Sequence, residues 1–533
     1  MSGAASQNTD YIPPPPGETL GHPRPLWMLF MSEFWERFAY YGMRAVLAVY
    51  VAAQFFSHLP DGEARAQSSL VYGGYTSLVY ATGVIGGMLA DRYLGYQRSI
   101  IVGGLLMALG LILLLIPEMQ WFLIGLAVIV AGNGLFKPNI SAMVGKLYAP
   151  GDVRRDSGFT IFYMGINAGA FFAPIICSVW IGARFGYQYG FLAAAIGMIF
   201  GVIVFHLRKG MLGHIGKPPA GREGITPILV VVGGAFLAIP VLYLLLSKSA
   251  LLGSILLGVF ALLAVYLIWS GFSQDRTQGQ KYIAMFILFS ANILFWALFE
   301  QAGASLNFLA QDHVSAPFHF TLFQSANPVF IILLAPLFAA LWPKLDRMNM
   351  NPSIPRKFAI ALIGLAVGFA LLVFALKSFL SADLRVAWYW LAGLYLIHTM
   401  AELCLSPIGL SMVTKLAAPK NVGLSMGGWF LATAVANYLA GRISAIASGG
   451  GEHGAPADPS AVAEPSWLAS TAPVQWLSGL VHDFGALVGE GEKMASLSQY
   501  SVTFTWLIVA GLVIGGLFFI AAPLINRLMH GVK

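Results

Sequence analysis

Long apolar runs dominate the chain, separated by short polar connections. A helix needs about 20 apolar residues to cross the hydrocarbon of a bilayer. Fourteen stretches meet that requirement, at approximately 27–56, 66–90, 98–117, 120–146, 157–183, 185–207, 225–246, 250–273, 281–310, 314–343, 357–377, 386–415, 420–445 and 498–526. Residues 66–90, 157–183 and 501–526 contain no Asp, Glu, Lys or Arg at all. The pattern predicts an all-α polytopic membrane protein. An even number of crossings puts both termini on one side.

Composition agrees. Of 533 residues, 58% are hydrophobic and 10% charged, against about 25% charged in an ordinary soluble protein. Such a chain cannot cover a water-facing surface, and soluble, disordered and disulfide-rich classes are excluded. The formal net charge is +7. Lys and Arg accumulate in cytoplasmic loops, so the basic excess reflects topology and implies no nucleic-acid partner. Twenty cations fall in the tail and the loops on its side and seven on the other, which predicts cytoplasmic termini. Residues 1–26 hold the run Pro13–Pro16 and read as a polar tail, lacking the basic and short apolar regions of a signal peptide. The 446–497 segment, rich in Gly, Ala, Pro and Ser, is expected to be a solvated connector with little functional content. Cys177 and Cys404 both lie in apolar stretches, with no metal-ligand spacing, so no metal or other cofactor is expected.

Seven charges stand inside spans: Glu33, Glu36, Arg37, Arg44, Lys137, Glu300 and Glu402. Each costs about 2.5–3.5 kcal/mol at mid-bilayer on insertion scales. Their near balance in sign implies pairing around a water-accessible cavity. In the first span Glu33, Glu36, Arg37, Tyr40, Tyr41 and Arg44 share one stripe roughly 140° wide at 100° per residue. A cluster that only fixes helix packing is the simpler reading, but a costly one at this size.

The segment EFWERFAYYG, Glu33–Gly42, resembles the ExxERFxYYG motif of the proton-coupled oligopeptide transporters, the POT family of the major facilitator superfamily. GMLADRYLGYQR, Gly87–Arg98, resembles the superfamily's cytoplasmic loop motif. GNGLFKPNISAMVG, Gly132–Gly145, is similar to the family's fourth helix, and FYMGINAGAF, Phe162–Phe171, to its fifth-helix signature FYxxINxGSL. Ala170 and Phe171 replace Ser-Leu there, a conservative departure. FWALFEQ, SANP and ELCLSPIGL also match. The resemblance covers about residues 27–529 and implies a major facilitator fold of 6+2+6 transmembrane helices: a cytoplasmic tail 1–26, an N-terminal six-helix bundle 27–207, two inserted helices 225–273 as in bacterial members, and a C-terminal bundle 281–529.

The remaining polar residues admit plain readings beside the family's. Lys137 shares a face with Asn133 and Ser141 and is either a lysine snorkelling to an interface or, by resemblance, a cavity lysine paired with Glu402. Asn292, Trp296 and Glu300 form an i+4 ladder that stops at the small Ala304; the resemblance pairs Glu300 with Arg44 across the two halves on the extracellular side. Asn167 lies between Gly165 and Gly169, a spacing that indicates close helix packing; it either bonds a neighbouring helix or, as in the family, contacts the peptide backbone. Asn327 precedes Pro328 and marks either a simple kink or the family's contact to the peptide amino group. Tyr75 and Trp429 are singled out because their flanks match. His398 reads as a packing histidine, and the second span has no histidine, unlike that of animal relatives.

A di- or tripeptide is a zwitterion, and its site needs a cation, an anion and amide-matching groups. Arg44, Lys137 and Tyr40 suit the carboxylate, Glu402 and Asn327 the amine, and Tyr41 and Asn167 the backbone amide, while Trp296, Trp429 and Tyr75 offer apolar pockets. Glu33, Glu36, Arg37 and Glu300 form the proton-coupling set. The resulting expectation is a proton-coupled symporter importing di- and tripeptides by alternating access, monomeric, in the bacterial inner membrane. The nearest alternative is a family member carrying another solute, such as nitrate or a peptide-like drug; the complete peptide-charge set favours peptide. No nucleophile–base pair, Walker loop or filter-like repeat suggests an enzyme or channel.

Overall fold

The computed structural model describes residues 14–532 apart from 16, 150 and 450–471. The chain is nearly all helix. In order the helices are α1 (Arg24–Phe55), α2 (Asp61–Leu89), α3 (Gly95–Leu113), α4 (Met119–Lys146), α5 (Arg154–Phe185), α6 (Tyr187–Arg208), α7 (Thr226–Ser247), α8 (Ser249–Gln274), α9 (Arg276–His313), α10 (Ala326–Arg347), α11 (Ile354–Ser378), α12 (Trp388–Leu416), α13 (Val422–Ala447), α14 (Ala472–Gly485) and α15 (Glu492–Leu528). Strands are vestigial. β1 (Glu18–Thr19) and β2 (His22–Pro23) form an antiparallel hairpin whose two turn residues, Leu20 and Gly21, both have positive φ. That is the turn geometry whose twist matches paired strands. β3 (Val314–Ser315) pairs in parallel with β4 (Val386–Ala387).

Among the described residues, twelve helical stretches are long and apolar enough to cross a membrane. One of them, Asp61–Leu113, is 53 residues long, more than twice what one crossing needs. It consists of α2 and α3, joined by a π-helical turn at Ala90–Leu94. Gly95 then starts α3 at φ 70°, where a side chain would also strike the Lys217 carbonyl. Helix α1 is long enough, with 32 residues, but its polar stripe dilutes its apolar content and it stands outside the twelve. Each of the fourteen apolar stretches thus contains a long helix, and those at 314–343 and 386–415 begin on the short strands β3 and β4.

Three elements depart from the simple expectation. The end of α5 is π-helical over Pro174–Gly182, because Pro174 withholds an amide from the regular ladder. Helix α9 is interrupted by a 3-10 turn at Glu300–Gly303. Within 446–497, expected to be a solvated connector, residues 472–485 form the helix α14, and α15 begins at Glu492; residues 450–471 lie outside the described part.

The chain divides into two compact units. The first contains the described residues up to Met43 together with Thr82–Tyr243. In it, α3 and α4 approach closely: a Cβ on Gly103 would lie 2.6 Å from the Gly132 carbonyl oxygen. Small residues that let backbones touch are how helices associate where lipid supplies no hydrophobic drive. Val231 of α7 joins this core, buried with Leu94, Leu106, Val128 and Leu135. The second unit contains Arg44–Ala81 and Leu244–Lys533. There α2 meets α13 through Gly73 and Gly441, with 2.6 Å between a Cβ on Gly73 and the Gly441 Cα.

Candidate functional site

In the first unit the polar stripe of α1 is buried. Glu33, Glu36 and Arg37 are 2%, 0% and 4% exposed. Arg37 Nε lies 2.9 Å from Glu33 Oε1 and 2.5 Å from Glu36 Oε2. Asn133 of α4 donates its Nδ2 to Glu36 Oε1 at 3.0 Å. Two acids thus share one guanidinium, and Glu33 Oε2 and Arg37 Nη2 find no hydrogen-bond partner. A buried polar atom left unpaired costs about 1–3 kcal/mol, and the cluster carries one such atom on an acid and one on the arginine.

The neighbours of this cluster follow from helix spacing. The Arg37 guanidinium lies 5.6 Å from the Tyr40 ring centre, and Tyr40 meets Tyr41 edge-on at 5.3 Å. Gly165 and Gly169 of α5 sit against Phe30 and Phe34 of α1, where a Cβ on Gly169 would overlap the Phe34 carbonyl. The small-residue spacing is therefore a close helix crossing beneath the ion cluster. Asn167, between the two glycines, is buried and donates to the Tyr163 carbonyl of its own helix at 2.9 Å. Lys137 stands one turn beyond Asn133 on α4, half-buried, with Pro138 next to it.

In the second unit Arg44 forms an ion pair with Glu300, through Nη2 and Oε2. Their side chains are 11% and 5% exposed. Arg44 Nε also donates to the Tyr72 hydroxyl, and its guanidinium stands 5.7 Å from the Tyr72 ring centre. Glu300 occupies the first position of the 3-10 turn that interrupts α9. The polar ladder Asn292–Trp296–Glu300 ends there because the regular helix itself ends there. Gly303 closes the turn, and a Cβ on it would overlap the Tyr72 hydroxyl. Beyond the break, Asn307 donates to the Ala45 carbonyl at 2.9 Å, tying the outer piece of α9 back to α1.

A second polar centre of this unit joins α10 and α12. Asn327 Nδ2 donates to Glu402 Oε2 at 2.8 Å and to Thr399 Oγ1 at 3.1 Å. Asn327 sits in the first turn of α10, where Pro328 has no amide to contribute. His398, one turn before Glu402, is buried and bonded to the Leu365 carbonyl at 3.1 Å, the packing histidine expected from sequence. Among the aromatic residues singled out, Tyr75 is fully buried and Trp429 is 6% exposed, edge-on to Phe289 at 5.7 Å. Trp296 is half-buried against Phe295 and Phe299. Asn292, on the same ladder, is fully buried and points to Thr433 Oγ1 at 3.5 Å.

The structure therefore brings together Glu33, Glu36 and Arg37, then Arg44 and Glu300, and then Asn327 and Glu402. Sequence reading missed Tyr72, Thr399 and the bond from Asn133 to Glu36. It also missed the ion pair of Arg65 with Asp312 at 2.5 Å. No group of three His, Cys, Asp or Glu side chains suited to a metal occurs among the described residues.

Comparison with known proteins gives the following. The sequence profile of the POT family matches residues 97–455. A peptide transporter, YePEPT, of Yersinia enterocolitica is 38% identical over 464 residues, which is 80% of this chain and 89% of that protein. A di-/tripeptide transporter of Lactococcus lactis is 35% identical over 457 residues, 80% of this chain and 90% of the relative. A crystal structure of a mutant peptide transporter POT in complex with alafosfalin superposes with a TM-score of 0.76 at 34% identity, covering 97% of this chain and 98% of that one.

Proposed function

We propose that this chain, which belongs to the POT family, is a proton-coupled symporter that imports di- and tripeptides by alternating access. The observation that carries the proposal is the buried, incompletely satisfied ion cluster Glu33–Arg37–Glu36 on the same helix as the Arg44–Glu300 pair. Carboxyl groups held in such sites change their proton affinity when a neighbouring cation arrives or leaves. Glu33 and Glu36 share one arginine, and protonating either relieves the competition for it. Glu300 depends on Arg44 alone among the described cations for its ion pair. When a peptide carboxylate claims Arg44, Glu300 is left to take up a proton.

The peptide is held at both poles. Arg44, Lys137 and Tyr40 take its carboxylate, and Glu402, steadied by Asn327, takes its amine. Tyr41 and Asn167 serve the amide; Tyr75, Trp296 and Trp429 shape the apolar pockets. The protein works as a monomer in a bacterial inner membrane with both termini cytoplasmic. The relatives named as peptide and di-/tripeptide transporters support the substrate class.

The test is uptake of labelled dialanine into proteoliposomes, with unlabelled competitors. Tripeptides compete well, and free alanine, too short to reach both charge poles, competes poorly. Equal competition by alanine would identify an amino-acid carrier instead.

A further inference from the structure

Helix α14 is amphipathic in an unusual way, with two apolar strips side by side. At 100° per residue, Trp476, Leu480 and Phe484 span about 80° of its circumference, and Leu477, Val481 and Gly485 span roughly the next 80°. Gln475, Ser478, His482 and Asp483 fill the opposite half. The second strip is packed: Val481 is fully buried, and a Cβ on Gly485 would lie 2.7 Å from the Val502 Cα of α15. The first strip is open. Trp476, Leu480 and Phe484 are 69%, 48% and 58% exposed.

The depth of α14 is fixed by α11. Lys377, in the last turn of that membrane-length helix, donates its Nζ to the Phe484 carbonyl and stands 5.1 Å from the Phe484 ring centre. The C-terminal end of α14 therefore lies level with the end of a span, at the edge of the hydrocarbon. Ile360, Val367 and Phe374 form an exposed apolar stripe along α11 at seven-residue spacing, and the exposed Phe379 just past the helix meets Phe374 edge-on at 5.7 Å. Phe484, the last residue of the open strip, meets the end of α11. Three large exposed apolar side chains on one strip, with a polar face opposite, match a helix lying in the interface rather than one surrounded by water.

We infer that α14 lies in the plane of the membrane surface, with Trp476, Leu480 and Phe484 embedded at the headgroup–acyl boundary of the leaflet beside α11. The occupant of the open strip is lipid. The polar half faces water, and the packed strip anchors the helix to α15. The long connection between α13 and α15 thus contains a membrane-surface element as well as a linker.

The full chain, reconstituted in phosphatidylcholine–phosphatidylglycerol vesicles, provides the test. Spin labels are placed singly through Trp476→Cys, Leu480→Cys and Phe484→Cys, and through Gln475→Cys, Ser478→Cys and His482→Cys. Cys177 and Cys404 are buried and stay unlabelled. The first set collides severalfold more with lipid-soluble oxygen than with a water-soluble nickel chelate, and the second set shows the reverse. As a check without labels, the fluorescence lost in Trp476→Phe is the part quenched by lipids brominated near the glycerol backbone. Equal nickel access at all six positions would return α14 to a solvated connector. Low access to both reagents at 476, 480 and 484 would mean that protein, either residues 450–471 or another copy, covers the strip. Either result overturns the inference.

Discussion

At the scale of single residues, most of the chemistry sits on α1 and was legible because its charges are spaced three, four, seven, eight and eleven apart. That spacing forces one face, and charge in a span forces burial. The partner of Arg44 on α9 came from resemblance, since 256 positions separate the two residues. Tyr72 was not legible. Tyr72, Tyr75 and Tyr80 all lie on α2, and nothing in one sequence says which tyrosine reaches Arg44. The pair Arg44–Glu300 has a measurable consequence. Desolvation offsets much of its Coulomb attraction, so its net coupling to the conformational equilibrium is modest, about 1–3 kcal/mol. Glu300→Gln therefore shifts the resting population outward and impairs gradient-driven uptake. Arg44→Ala is the more damaging change, because the same residue is also proposed to hold the peptide carboxylate. Spin labels on the outer ends of α1 and α9 report the distance, and an unchanged distribution with normal uptake would leave the pair as static packing.

At the scale of elements, apolar run length placed every long helix, and composition misled only where a helix is too short to span. Helix α14 has 14 residues, and the Gly- and Pro-rich segment before it pulled its whole neighbourhood towards loop. The break in α9 was also hidden. Glu300, Gln301 and Ala302 are ordinary helix formers, so propensity argues for continuity there, and tertiary contacts impose the turn. Gly303 is the residue that makes the break affordable, since it alone leaves room for Tyr72. Gly303→Ala should lower stability by about 1–3 kcal/mol through overpacking, seen as a lower melting temperature of the purified protein. Adding Tyr72→Ala removes the clash, so the double variant should lose less than the two single losses added together. Strict additivity would separate Gly303 from Tyr72.

At the scale of the whole molecule, membrane crossing and fold class were set by composition and periodicity, while helix packing inside each compact unit rests on glycine contacts that no periodicity announces. Gly103 with Gly132 and Gly73 with Gly441 are pairs of common residues far apart in sequence. The proposed orientation rests on the bias of cations towards the loops on the side of the tail. A tag at either terminus should be protected from protease added outside intact cells, while a tag within 446–497 is cleaved. Cleavage at only one terminus would break the even number of crossings.

The most direct measurement of the central claim is proton entry evoked by peptide. Proteoliposomes loaded with a pH-sensitive dye are given dialanine, with the wild-type chain and Glu36→Gln compared side by side. The account predicts rapid internal acidification with the wild type and none with Glu36→Gln, although that variant still exchanges labelled for unlabelled dialanine because its peptide-contacting charges remain. Dialanine entry through the wild type without acidification, or undiminished acidification in Glu36→Gln, would contradict it.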